Sequence, residues 1–100
     1  MPSATRPSID TRQLSDLHGI GQAMLKDFDL LGVRSVTQLS ACDGNDLYAR
    51  LCKITNTRMD PCVHDVFTCA VEQARDPNLP REKCDWWYWS RIRKNSGIKL

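Results

Sequence analysis

Two glycines flank a single residue in the run Leu17-His18-Gly19-Ile20-Gly21-Gln22, where the chemistry on offer is main-chain N–H groups more than side chains. Glycine lets a chain reverse within a few residues, because positive φ and close backbone approach cost it little. Ile20 is placed to plug that reversal into a core. A helix expected to begin just after Gly21 leaves its first N–H groups without internal partners, at the positive end of its dipole. Such a cluster accepts a phosphate oxygen without reading any base. Gly19, Ile20, Gly21 and Gln22 are therefore the candidate anion site, with Lys26 and Arg34 as assisting cations.

The cysteines and histidines invite other chemistry, and their spacing argues against it. Structural zinc sites usually contain close pairs such as C-x2-C. Here Cys52 and Cys62 are nine residues apart in between, and Cys62 and Cys69 six. Cys62 and Cys69 share one side of a helix, where they read as small apolar fillers. Cys62 and His64 stand two apart on that helix and point away from each other, so they make no nucleophile–base pair. With no paired catalytic set, phosphate loop or metal box, the expectation is a non-enzyme with no cofactor, no metal and no small-molecule substrate. The aromatic cluster Trp86-Trp87-Tyr88-Trp89, followed by Arg91, Arg93 and Lys94, offers ring stacking beside phosphate neutralisation. As an alternative, Trp86, Trp87 and Trp89 dock a protein partner or a second copy.

Helical periodicity supplies the frame for these residues. Leu14 and Leu17 suggest a short helix running into Gly19. Met24, Leu25, Phe28 and Leu31 give a second helix that stops at Gly32. Val33, Val36 and Leu39 mark a short piece capped by Ser35. Cys42 to Asn45 reads as a turn. Leu47, Leu51 and Ile54, flanked by Tyr48 and Cys52, form the next amphipathic helix. Asp60-Pro61 is a strong helix start, followed by the clearest apolar stripe: Val63, Val66, Phe67, Ala70, Val71 and Ala74. A last short helix from Pro80 or Arg81 carries the tryptophans. No alternating strand pattern appears.

Length and charge bound the rest. One hundred residues, 41% of them hydrophobic, make one domain with a modest core. No apolar run approaches the ~18 residues of a membrane helix. The first ten residues contain no stretch that would serve as a signal peptide. An odd number of cysteines without an export signal predicts reduced thiols and a cytoplasmic protein, with no membrane partner. Net charge is +2 and unevenly placed. From Arg81 onward, six basic residues outnumber Glu82 and Asp85, a polarity that suits an anionic partner.

The run Leu17–Met24, then Asp27–Val36, Leu47–Cys52, Met59–Phe67 and Trp86–Trp89 resembles the bacterial pathogenicity-locus family. Its members are often labelled mitomycin-resistance or helix-hairpin-helix proteins. The resemblance implies an all-α, SAM-domain-like single domain of about five short helices, with a helix-hairpin-helix motif at Leu14–Phe28. DNA-binding hairpins of that class carry Pro at the position of His18, Lys or Arg at that of Ala23, and a small residue at that of Leu25. The expected organisation is a flexible leader over 1–11, the helical domain over 12–90 and a basic tail over 91–100. The expected function is binding of a nucleic-acid backbone, DNA foremost, without sequence preference.

Overall fold

Asp60 and Pro61 start the helix around which everything else is arranged. In the computed structural model, which describes residues 12–97, α4 spans Pro61–Arg75. The Asp60 carboxylate accepts a hydrogen bond from Cys62 N at 2.8 Å, and that bond holds its pKa below the usual carboxylate range. Pro61, having no N–H to satisfy, fits the first helical position. Phe67, Ala70, Val71 and Ala74 are buried as the stripe requires, while Val63 and Val66 are half-buried. His64, Asp65, Cys69 and Gln73 are buried too, so α4 is covered on more than one side.

Four helices enclose it. The first, α1, spans Gln22–Leu31 and ends at Gly32. Gly32 adopts φ +76°, the left-handed conformation that closes a helix at little cost to glycine. Phe28 and Leu31 face inward, and the Phe28 ring lies 5.6 Å from that of Phe67. Next comes α2, Val36–Ser40, capped as expected by Ser35 Oγ, which accepts from Gln38 N at 3.0 Å. The helix α3 covers Gly44–Thr55 and starts inside the stretch read as a turn, because Asp43 caps it by accepting from Asn45 N at 3.0 Å. Leu47, Tyr48 and Leu51 are buried; Ile54, expected on the same face, is on the last turn and half-exposed to solvent.

Among the described residues, two single turns of 3-10 helix complete the framework. Leu14–Asp16 forms one such turn where a short helix is expected, so the Gly19 reversal joins a 3-10 turn to α1. Arg81–Cys84 forms the other, and after a one-residue break at Asp85 the chain enters α5, Trp86–Ser96. The boundary expected at Arg91 therefore falls inside a helix: Arg91, Arg93 and Lys94 belong to α5 and not to a tail. The leader expected over 1–11 and the last three residues, Lys99 among them, lie outside the described residues.

The fold is an all-α single domain, with no strand among the described residues. Three arginines are used to close helix ends. Arg12 donates to the carbonyls of Gln73 and Ala74, Arg50 to that of Leu31, and Arg75 to those of Ser40 and Cys42, at 2.7–3.2 Å. All but Cys42, which lies just past α2, belong to the last turn of a helix and lack internal donors, so a guanidinium there satisfies them and complements the dipole. All five thiols are free, and among the described residues no group of three or more Cys, His, Asp or Glu is arranged to hold a metal ion. No described helix is long and apolar enough to cross a membrane.

Candidate nucleic-acid interface

Gly19 needs its glycine: its φ is +84°, where a Cβ would be strained. Gly21 does not, because its φ of −104° is ordinary and a Cβ there would meet nothing within 4 Å. Ile20 is half-buried against the core, as its plugging role requires. Its N–H is used internally, donating to Leu17 O at 3.3 Å. The first intrahelical bond of α1 runs from Leu25 N to Gly21 O. Gly21, as N-cap, brings no side chain to the N–H groups of Gln22, Ala23 and Met24, and among the described residues nothing accepts from them. Gln22 and Lys26 are exposed, one helical turn apart on one face.

The acidic residues near the turn are largely engaged elsewhere. Asp16 accepts from Gln13 N at 2.7 Å, and Asp29 pairs with Arg34 at 3.2 Å. Asp27, one turn beyond Ala23, is half-buried, and desolvation raises its pKa. The turn itself is clamped from α4. Gln73 Oε1 accepts from His18 N at 2.9 Å, while Gln73 Nε2 donates to His18 O at 3.0 Å. The His18 ring reaches Asp85 Oδ1 at 2.9 Å, tying the turn to the residue that precedes α5. Proline, the usual residue of DNA-binding hairpins, has no N–H to give Gln73.

That tie brings the start of α5 beside the turn. Trp87, Arg91 and Lys94 follow at i, i+4 and i+7, and all three are exposed; Trp87 has 53% of its surface open. They form one stripe along α5. The Arg91 guanidinium also lies 6.0 Å from the Tyr88 ring. Between turn and helix is a cavity of about 220 Å³. The turn thus adjoins the first turn of α5, from which the stripe runs.

Three residues expected in the interface are used otherwise. Arg93 makes a two-pronged contact with Asp65, Nε to Oδ1 at 2.8 Å and Nη2 to Oδ2 at 3.0 Å, so its charge serves an internal pair. Asp65 is fully buried, and His64 Nδ1 lies 3.2 Å from its Oδ1 while His64 Nε2 contacts Asn45. Trp89, two residues from Trp87 and so on another side of α5, donates its indole N–H to Lys83 O at 2.8 Å. Arg34 lies past the far end of α1, about 15 Å of helix from the free N–H groups. A larger cavity, about 400 Å³, lies where α3, α4 and α5 meet; His64, Trp89 and Arg93 are on its walls.

Sequence reading missed Gln73, Asp65 and Asp85. Gln73 left a signal, since a polar residue sits on the apolar face seven positions after Val66. Asp65 left none: its partner Arg93 is 28 residues away, and only the packing of α5 on α4 joins them.

A family model described as pathogenicity locus matches residues 8–95 of the chain. Mitomycin resistance protein McrB of Streptomyces lavendulae is 32% identical over 87 residues, which covers 87% of this chain and 79% of that protein. No solved structure matches.

Proposed function

The chain belongs to the pathogenicity-locus family, and from that premise we propose that it is a binding module for a nucleic-acid backbone, not an enzyme. The observation that carries this reading is the trio of N–H groups at Gln22, Ala23 and Met24, which have no acceptor among the described residues, on a helix start where Gln22, Ala23 and Lys26 are exposed and Met24 is half-buried. A phosphate there gains charge-assisted hydrogen bonds from groups that otherwise bond only water, at the positive end of a ten-residue helix. The Arg91–Lys94 stripe extends the positive surface along the backbone. Nothing in this arrangement reads base identity, so DNA of any sequence is the expected partner. The free thiols suit a reducing compartment such as the cytoplasm.

Gly21→Asp separates binding from folding. A carboxylate at the N-cap occupies the same N–H groups and places a negative charge on the site. The helix itself should hold or gain about 0.5 kcal/mol. The expected outcome is an unchanged or higher Tm with at least tenfold weaker binding of labelled DNA at low salt. Lys26→Glu should weaken binding similarly with circular dichroism unchanged. Wild-type protein that ignores DNA at low salt, or a Gly21→Asp protein that binds as well as wild type, would falsify the proposal.

A second reading rests on Trp87, whose exposure also suits contact with a second copy or a protein partner. A dimer mass in light scattering that reverts to monomer in Trp87→Ala, together with no retention on DNA resin, would favour it.

A further inference from the structure

The cavity between the turn and α5 carries the reading one step further. It is bounded by Gly19 on the turn, Val66 and Cys69 on α4, Asp85, and the rings of Trp86 and Trp87. At about 220 Å³ it is below the ~300 Å³ at which pockets for drug-sized ligands begin, so it suits a single planar ring system. Two tryptophans set edge-to-face, with centroids 6.0 Å apart, provide the stacking wall. Its floor is uncharged: burial pushes the Cys69 thiol up to about 12, so it stays protonated. Asp85 gives one carboxylate oxygen to His18, and the other has no partner among the described residues. That oxygen suits a ring N–H or an exocyclic amine.

The surroundings select which planar group. Along the chain, the free N–H groups of α1 follow Gly19 within five residues, and the exposed Arg91 and Lys94 follow Trp87 one and two turns along α5. A ring entering here arrives with anionic charge on both flanks, as a base does within a polynucleotide. We propose that this cavity receives one unpaired nucleobase, so that the preferred ligand is a single strand or a duplex interrupted by an unpaired position. This rests on the backbone-binding reading above. It adds that bases contribute, whereas a backbone-only site is indifferent to them.

The test compares three labelled DNA probes of equal length: a mixed-sequence single strand, the same strand with every base replaced by an abasic residue, and a perfect duplex. The single strand is expected to bind about 5- to 150-fold more tightly than its abasic counterpart, the range one stacked base supplies. Trp87→Ala, at an exposed position, should erase that advantage, so that the variant binds the single strand and its abasic counterpart equally. Val66→Phe, which grows into the cavity from α4, should do the same if its Tm is retained; if it unfolds, Trp87→Ala decides. Tryptophan fluorescence should be quenched by the single strand and not by the abasic strand. Equal affinity for the two strands, or an advantage that survives Trp87→Ala, overturns the cavity assignment while leaving backbone binding intact. Failure of all three probes to bind overturns both.

Discussion

At the scale of single residues, the informative side chains are those whose partners lie far along the sequence. Gln73 is spaced like a core residue and uses both ends of its amide on His18, 55 positions away. Gln73→Leu removes the acceptor and the donor together, leaving two main-chain groups of the turn unpaired. A loss of about 1–3 kcal/mol is expected by urea denaturation, with DNA binding weakened beyond what the stability change explains. Arg93 illustrates the opposite error. Its place in a basic run suggests a phosphate contact, yet its guanidinium is held by Asp65, which is fully buried. Arg93→Ala strands that carboxylate and should cost about 3–5 kcal/mol, whereas Asp65→Leu combined with Arg93→Met should recover most of the loss. The double variant should bind DNA like wild type, because Arg93 is no part of the binding surface. Weaker DNA binding by a well-folded double variant would restore Arg93 to the interface.

The elements are positioned by close approaches that helical periodicity does not record. Gly44 opens α3 with its backbone against α4, so that a Cβ on it would lie 2.9 Å from Thr68 Cα and closer still to Thr68 Oγ1. A neighbour made of helical backbone has little room to yield. Gly44→Ala should therefore destabilise the protein by about 1–3 kcal/mol, despite alanine's better helix propensity, read as a lower midpoint in thermal unfolding. Gly21→Ala, at the start of α1, is the contrast: open space and an ordinary φ bring no clash, so only the loss of a favourable N-cap residue, about 0.5–1 kcal/mol, should lower its Tm. The caps were legible because each is local chemistry. Ser35 and Asp60 accept bonds within three residues of themselves, and Gly32 closes α1 by its own conformation. The start of α3 was not, since Cys42-Asp43-Gly44-Asn45 has turn composition and only Asp43's bond to Asn45 N, with the packing of Gly44, makes it a helix start.

For the whole molecule, formal charge overstates what a ligand meets. Arg12, Arg50 and Arg75 close helix ends and Arg93 is paired inside; the proposed interface itself takes three of the remaining described cations, Lys26, Arg91 and Lys94, while Arg81 and Lys83 sit before α5. Three phosphate neutralisations predict a slope of about −2 to −3 for log affinity against log salt. Titrations at several salt concentrations measure it directly. A slope near −5 or steeper would mean that the remaining basic residues also engage. Lys26→Glu should make the slope shallower by about one, which ties a bulk property to one side chain.

The sequence by itself determined the helical class, the core stripe of α4, most helix ends and the turn at Gly19, because periodicity, capping and positive φ are properties of neighbouring residues. Only the tertiary structure decided which charges face outward, that the turn adjoins Trp87, and that a cavity lies between them. Those depend on α4 being covered from several sides at once, and no local pattern encodes which distant side chain completes a buried bond.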